Sequence, residues 1–231
     1  VVISEELVTA FSHVLWIGGP PDCGKTTVAD ILAEKYGLQS YHLDQHEMDH
    51  VHRSDPNLHP ETFELGKKLK ELDELAQLEW LWVKRTPIEM AESAMASWSD
   101  RFPLVVEDLL TMPKNCPIIA EGPGFFPEVI LPLISNPHQA IWMVPSEAFK
   151  RSSHRRRGKG ERRAQVLGDP EIAQRNHIER DLLIAERYRR STCELELPLI
   201  VVDGSQSVNE VLAKVEAHFS TYLPPLDNIS K

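Results

Sequence analysis

The sequence predicts an α/β fold, a three-layer sandwich around a five-stranded, mainly parallel sheet. Three observations carry that expectation. Five short apolar runs rich in β-formers, at 13–17, 40–43, 117–120, 140–144 and 199–202, alternate with segments of helical periodicity. A glycine-rich turn, Gly18-Gly19-Pro20-Pro21-Asp22-Cys23-Gly24, joins the first run to a helical stretch. Polar residues (Asp44, Glu121, Ser146 and Asp203) stand at the ends of the other four runs, where open parallel sheets bind ligands.

Taken in order, the strand at 13–17 leads through the glycine turn into a helix that Gly37 closes as a C′ residue. The second strand ends at Asp44. Residues 45–60 are polar and histidine-rich, broken by Asp55-Pro56 and His59-Pro60. Leu65, Leu69, Leu72 and Ala76 recur at helical spacing, with Leu75, Leu78 and Trp82 beside them. Thr86-Pro87-Ile88-Glu89 is a capping box opening another helix. Residues 45–115 therefore read as a helical insertion between the second and third strands. Ser146 can cap a helix entering a basic segment, and Asp169-Pro170-Glu171 opens a long helix to about Arg190. Val208, Val211, Leu212, Val215 and Phe219 mark the last helix. The expected organisation is one domain over 1–223 and a frayed tail over 224–231.

Of the 231 residues, 42% are hydrophobic and 26% charged, as in ordinary globular proteins. No apolar run is long enough to span a bilayer. Three widely spaced cysteines, Cys23, Cys116 and Cys193, argue against a disulfide framework and for a reducing compartment, so the cytoplasm is expected. The net charge is −10, yet residues 150–163 carry +7, leaving −17 on the rest. An acidic body argues against a nucleic-acid partner, which needs a broad basic face. One basic segment suits a cover over a polyanion.

From Gly19 the turn reads G-x-x-x-x-G-K-T, the spacing of a phosphate-binding P-loop, and it lies between a strand and a helix as that motif requires. Glycines let backbone N–H groups face a phosphate, and the helix N-terminus adds positive potential. Lys25 can reach β- and γ-phosphates, and the Thr26 hydroxyl can sit on Mg²⁺. A second motif, His46-Glu47-Met48-Asp49-His50, is a literal H-E-x-x-H. Asp49 puts a charge where helical zinc peptidases generally have none, and no third histidine follows at the metzincin spacing. These histidines are therefore read as pocket-lining or surface residues.

From about His13 to Phe219 the chain resembles the P-loop small-molecule kinases, the adenylate, shikimate and gluconate kinase group. The resemblance implies a P-loop kinase-like sandwich with a helical acceptor-side insertion at 45–115 and an arginine-rich lid at 151–168. It implies transfer of the γ-phosphoryl group of Mg-ATP to a small acceptor, at a hydroxyl or a phosphate. Gly19, Pro20, Pro21, Asp22, Cys23, Gly24, Lys25, Thr26 and Thr27 match the phosphate loop. Asp44 sits where shikimate kinase-like enzymes begin a D-x-D motif serving Mg²⁺ or the acceptor hydroxyl; here Asp44-Gln45-His46 follows instead. The run from Val144 through Arg155 resembles the entry to an adenylate kinase lid. That makes Arg155, Arg157 and Arg180 the expected catalytic arginines, with Arg155 also on the nucleotide. Asp203-Gly204-Ser205 resembles the turn against adenine. Glu121-Gly122 takes the place of the adenylate kinase Asp-Gly turn, and no arginine follows it. His46, Arg53, Arg85, Glu121 and Gly122 are the expected acceptor-side residues. The alternative is a P-loop regulatory protein or ATPase with no small-molecule acceptor; the guanine motif N-K-x-D is absent from the sequence.

Overall fold

The computed structural model describes residues 5–156 and 167–226, and of 154–156 the backbone alone. The expected lid positions 157–166, with Arg157, and the tail positions 227–231 lie outside the described residues, as does the Arg155 side chain.

Five strands, β1 (Val14–Gly18), β2 (Gln39–His42), β3 (Ile118–Gly122), β4 (Ala140–Pro145) and β5 (Leu199–Val202), form one sheet in the order β2-β3-β1-β4-β5. Every pairing is parallel. The expectation of a mainly parallel sheet becomes an all-parallel one. Eleven α-helices accompany it among the described residues: α1 (Glu5–Ala10), α2 (Lys25–Tyr36), α3 (Glu47–Arg53), α4 (Pro60–Lys70), α5 (Glu74–Trp82), α6 (Pro87–Asp100), α7 (Phe102–Thr111), α8 (Pro127–Ile130), α9 (Glu147–Arg156), α10 (Pro170–Glu194) and α11 (Val208–Phe219).

Alternation along the strands builds two cores. Leu15 and Ile17 of β1, Ile119 of β3 and Ile141 and Met143 of β4 pack on Val28, Leu32, Val211 and Val215 from α2 and α11. Their neighbours Val14, Trp16, Ala120, Trp142 and Val144 pack on Phe102 and Val105 of α7 and Ile184 and Tyr188 of α10. Because successive strand residues face opposite sides, one run of apolar residues serves both layers. Trp16 meets Phe11 and Phe125 edge-on, at ring separations of 6.0 and 5.2 Å.

The helical segment between β2 and β3 is more divided than its leucine spacing predicts. Asp73 accepts a hydrogen bond from Ala76 N at 2.8 Å and restarts the chain as α5, so the stretch 60–82 is two helices. Asp73-Glu74 offers an N-cap and an acidic first turn, as Asp169-Pro170-Glu171 does with its added proline, but the continuous leucine period masks it. The capping box at Thr86 and Glu89 forms in both directions, as does one at Ser207 and Glu210. Asp169 caps α10 by accepting from Ile172 N at 3.0 Å.

The chain leaves β1 toward β2 on one side of the sheet and leaves β4 toward β5 on the other. That divergence opens a crevice beyond the carboxyl ends of the strands. No helix among the described residues is long and apolar enough to cross a membrane.

Candidate functional site: the glycine loop and its cleft

The loop after β1 has a backbone that its sequence dictates. Gly19 has φ 145°, and a Cβ there would lie 2.0 Å from the Met143 carbonyl oxygen, so only glycine fits against β4. Gly24 has φ 90° and stands before α2 without any side-chain cap. The first-turn amides of α2 thus keep their polar N–H groups for whatever sits in the loop. Asp22 adopts φ 66°, a left-handed conformation that Asp tolerates better than most residues.

A buried ion cluster holds that conformation. Lys150 of α9 is 0% exposed; its Nζ donates to Asp22 Oδ2 at 2.8 Å and also to Asp181 of α10. Asp181 accepts from Arg180 Nε at 2.8 Å and approaches His177 Nε2 at 3.3 Å. Burial alone would push the Asp181 carboxyl up; Arg180, His177 and Lys150 outweigh it and hold it well below the usual carboxylate range. Asp22, His177 and Asp181 are close enough to ligate a metal. The Lys150 ammonium already supplies the cation between the two carboxylates.

Lys25, Thr26 and Glu121 form the floor. Lys25 is buried and donates to the Pro20 carbonyl at 2.9 Å. Burial works against its ammonium, but Cys23, Glu121 and Asp44 outweigh it and raise its pKa. The Thr26 hydroxyl donates to Glu121 Oε1 at 2.9 Å, and His42 Nδ1 reaches the same oxygen at 3.0 Å. His42 Nε2 lies 3.2 Å from Asp30 on α2. The Glu121 hydrogen bond raises the His42 pKa against the effect of burial. Burial in turn pushes the Glu121 carboxyl up, and His42, Lys25 and Thr26 more than reverse it. Glu121, expected on the acceptor side, thus faces the loop's threonine from inside β3. Gly122 serves packing: a Cβ there would lie 2.5 Å from Leu43 Cβ.

Beside the loop lies a cleft of about 600 Å³, lined among others by Pro21, Asp44, Glu47, Trp82, Arg85 and Arg180. Asp44 lies in the single 3₁₀ turn, Leu43–His46, that follows β2. Burial raises its carboxyl pKa, reinforced by Glu121 and Glu47 and opposed by Lys25 and Arg101. Arg101 is 0% exposed and lies 3.4 Å from Glu47 Oε1. No signal in the sequence marks Arg101, and Lys150, expected only as part of the basic cover at 150–163, is instead buried between two carboxylates; both roles depend on what the fold packs around them.

The remaining expected residues fall elsewhere. Arg53 pairs with Asp49, Glu107 and Asp108, at 2.9, 2.8 and 2.5 Å, away from the cleft lining. His46 stacks on Tyr41 with ring centroids 4.4 Å apart, and His50 bonds Asp108 at 2.7 Å. The two histidines of H-E-x-x-H therefore join a polar cluster around Asp108, and the clustered group Asp49, His50 and Asp108 already holds the Arg53 guanidinium. Asp203 accepts from Ser205 N at 2.9 Å and from its hydroxyl at 2.6 Å, an exposed turn beyond β5. Gly204 has φ 87° and lies against Phe149 of α9.

No family model and no curated protein matches the chain.

Proposed function

We propose that this protein is a Mg-ATP-dependent phosphotransferase of the P-loop kinase type, moving a γ-phosphoryl group to a small-molecule acceptor. One observation carries the reading: the glycine loop and the cleft share a boundary, with Pro21 and Asp44 both lining the cleft and Lys25 electrostatically coupled to Asp44. A donor loop and an acceptor cavity with a carboxylate between them is the arrangement that phosphoryl transfer needs, because that reaction depends on alignment and charge neutralisation.

The loop fits a triphosphate on its own chemistry. Gly19 leaves no room for a side chain, α2 begins without a side-chain cap, and Lys25 is held charged within the loop. Thr26 and Glu121 supply hard oxygen donors suited to Mg²⁺, directly or through water. The ion would neutralise charge on the β- and γ-phosphate oxygens. Lys25 would hold charge that spreads onto the transferring group. Asp44 would orient an acceptor hydroxyl and take its proton while that oxygen bonds to the γ-phosphorus. The bond from phosphorus to the bridging oxygen breaks in the same reaction, and ADP leaves. Its burial-raised pKa suits Asp44 to accept a proton better than an exposed aspartate.

The test is γ-phosphate transfer from labelled ATP across nucleosides, nucleotides, sugars, polyol acids and aminoglycosides. Labelled product that depends on acceptor and Mg²⁺ is the expected result. Hydrolysis that no acceptor stimulates would overturn it in favour of an ATPase or regulatory protein.

A further inference from the structure

The cleft carries charge of both signs. Asp44 and Glu47 line it with carboxylates, and Lys70, Arg85 and Arg180 with cations. Much of the remaining wall is apolar, including Leu69, Leu81, Trp82 and Trp98.

The arginine pair is built. Arg85 lies over the Trp80 ring with its guanidinium carbon 4.1 Å from the centroid, and Arg180 lies over Trp82 at 4.7 Å. Asn176, one turn before Arg180 on α10, donates to the carbonyls of Trp82 and Arg85, each at 3.2 Å. One helix therefore fixes both the backbone of the first arginine and the position of the second. Arg180 is turned toward Asp181. Arg85 has no such engagement: its Nε is buried and makes no hydrogen bond among the described residues. The nearest acid in sequence, Glu89, is committed to the capping box with Thr86. Burial and the charge of Arg180 both disfavour the Arg85 cation, and Glu89, bonded to its own capping box, offsets them only in part.

From this geometry we infer that the acceptor is an anionic hydroxy compound with a flat or apolar body, its carboxylate or phosphate held by Arg85 and Arg180 and its hydroxyl turned to Asp44. The inference rests on the phosphotransferase reading for the role of Asp44, and on the cleft alone for the anion. Asp44 and Glu47 repel an anion, so charge also favours the arginines as its partners. A planar guanidinium recognises either anion through paired N–H groups.

The experiment measures binding to the full chain by tryptophan fluorescence and calorimetry, with no ATP present. The probes are 4-(hydroxymethyl)benzoate, phenyl phosphate and the neutral 1,4-benzenedimethanol. At least one anion should bind at least about tenfold more tightly than the diol, and Arg85→Gln should weaken it about tenfold, with Arg85→Lys intermediate. The two anions distinguish a carboxylate from a phosphate ligand. Equal binding of diol and anions, no anion binding, or full affinity in a folded Arg85→Gln protein would overturn the proposal. Labelled-ATP assays separate the two readings. Arg85-dependent anion binding with no phosphoryl transfer sinks the kinase reading and leaves the anion site. Transfer to neutral alcohols that Arg85→Gln does not alter sinks the anion site and leaves the kinase.

Discussion

The glycine loop and the cleft beside it are adjacent, yet they are built in opposite ways. In the loop the polar side chains answer one another: Asp22 has Lys150, Thr26 has Glu121, and Glu121 has His42. In the cleft Arg85 keeps a buried Nε with no hydrogen bond, and Asp44 carries a carboxylate that burial disfavours. A site whose groups satisfy one another holds its shape before a ligand arrives. A site with unanswered groups gains from a ligand that answers them. On the proposed reading the first suits a donor common to many reactions and the second a particular acceptor.

The largest stability effect should come from the loop's support. Lys150→Met leaves the Asp22 and Asp181 carboxylates buried without the ammonium between them. Breaking a buried pair in this way costs about 3–5 kcal/mol. Urea unfolding should show that loss, while Lys150→Arg should recover part of it. If Lys150→Met is as stable as the parent, the cluster does not hold the loop.

Lys25→Ala should act on chemistry rather than on the fold. Removing a buried charge aimed at the transferring group should lower kcat on the order of 10²- to 10³-fold. Binding of an anionic probe at Arg85 should stay unchanged, because Lys25 is not part of the cleft lining. Loss of both together would mean that the two regions are not separable.

The two regions also differ in how far they were legible beforehand. The loop was readable because its signal is local: glycine spacing, a preceding apolar run and a following helix fall within about two dozen residues. Strand positions were readable for the same reason, within a residue or two. The cleft was only partly so. Arg85 and Arg180 stood out as cations, but their meeting depends on Asn176 reaching back 91 positions to the Arg85 carbonyl. The opposite failure occurred at Arg53, whose helix neighbour Asp49 and the distant Glu107 and Asp108 engage it on the surface. A lone arginine in a sequence does not disclose which carboxylates the fold will bring to it. Glu121 was misplaced because the third strand runs two residues further than its apolar run, which turns that side chain under Thr26.

The His42–Glu121 pair gives the loop a pH signature of its own. The pair raises the His42 pKa above its ordinary 6.5 and lowers the Glu121 pKa below its ordinary 4.5. The imidazole's contribution is fully present below 6.5 and is lost as pH rises through its raised value. The carboxylate's contribution is present above 4.5 and is lost as pH falls through its lowered value. The stability difference between the parent and His42→Gln should therefore be greatest between those limits and shrink on the alkaline side. A difference that stays constant to pH 9 would mean that His42 carries no charge in the folded protein.

The smallest effect separates shape from charge within the cleft. Thr86 follows Arg85 directly, and its hydroxyl accepts from Glu89 N at 3.2 Å to start α6. Thr86→Ala removes that cap and frees the Glu89 carboxylate from the hydroxyl, at a cost of about 1 kcal/mol in stability. Two consequences follow for Arg85: its backbone neighbour loosens, and an acid next to it gains freedom to pair with the guanidinium. Both oppose capture of an external anion. Anion affinity should therefore fall while the KM for ATP stays level. Adding Glu89→Gln should restore part of the affinity if the released carboxylate competes, and none of it if loosened backbone is the cause. An ATP KM that moves with the anion affinity would show that α6 couples the cleft to the loop, and the division between the two regions would fail.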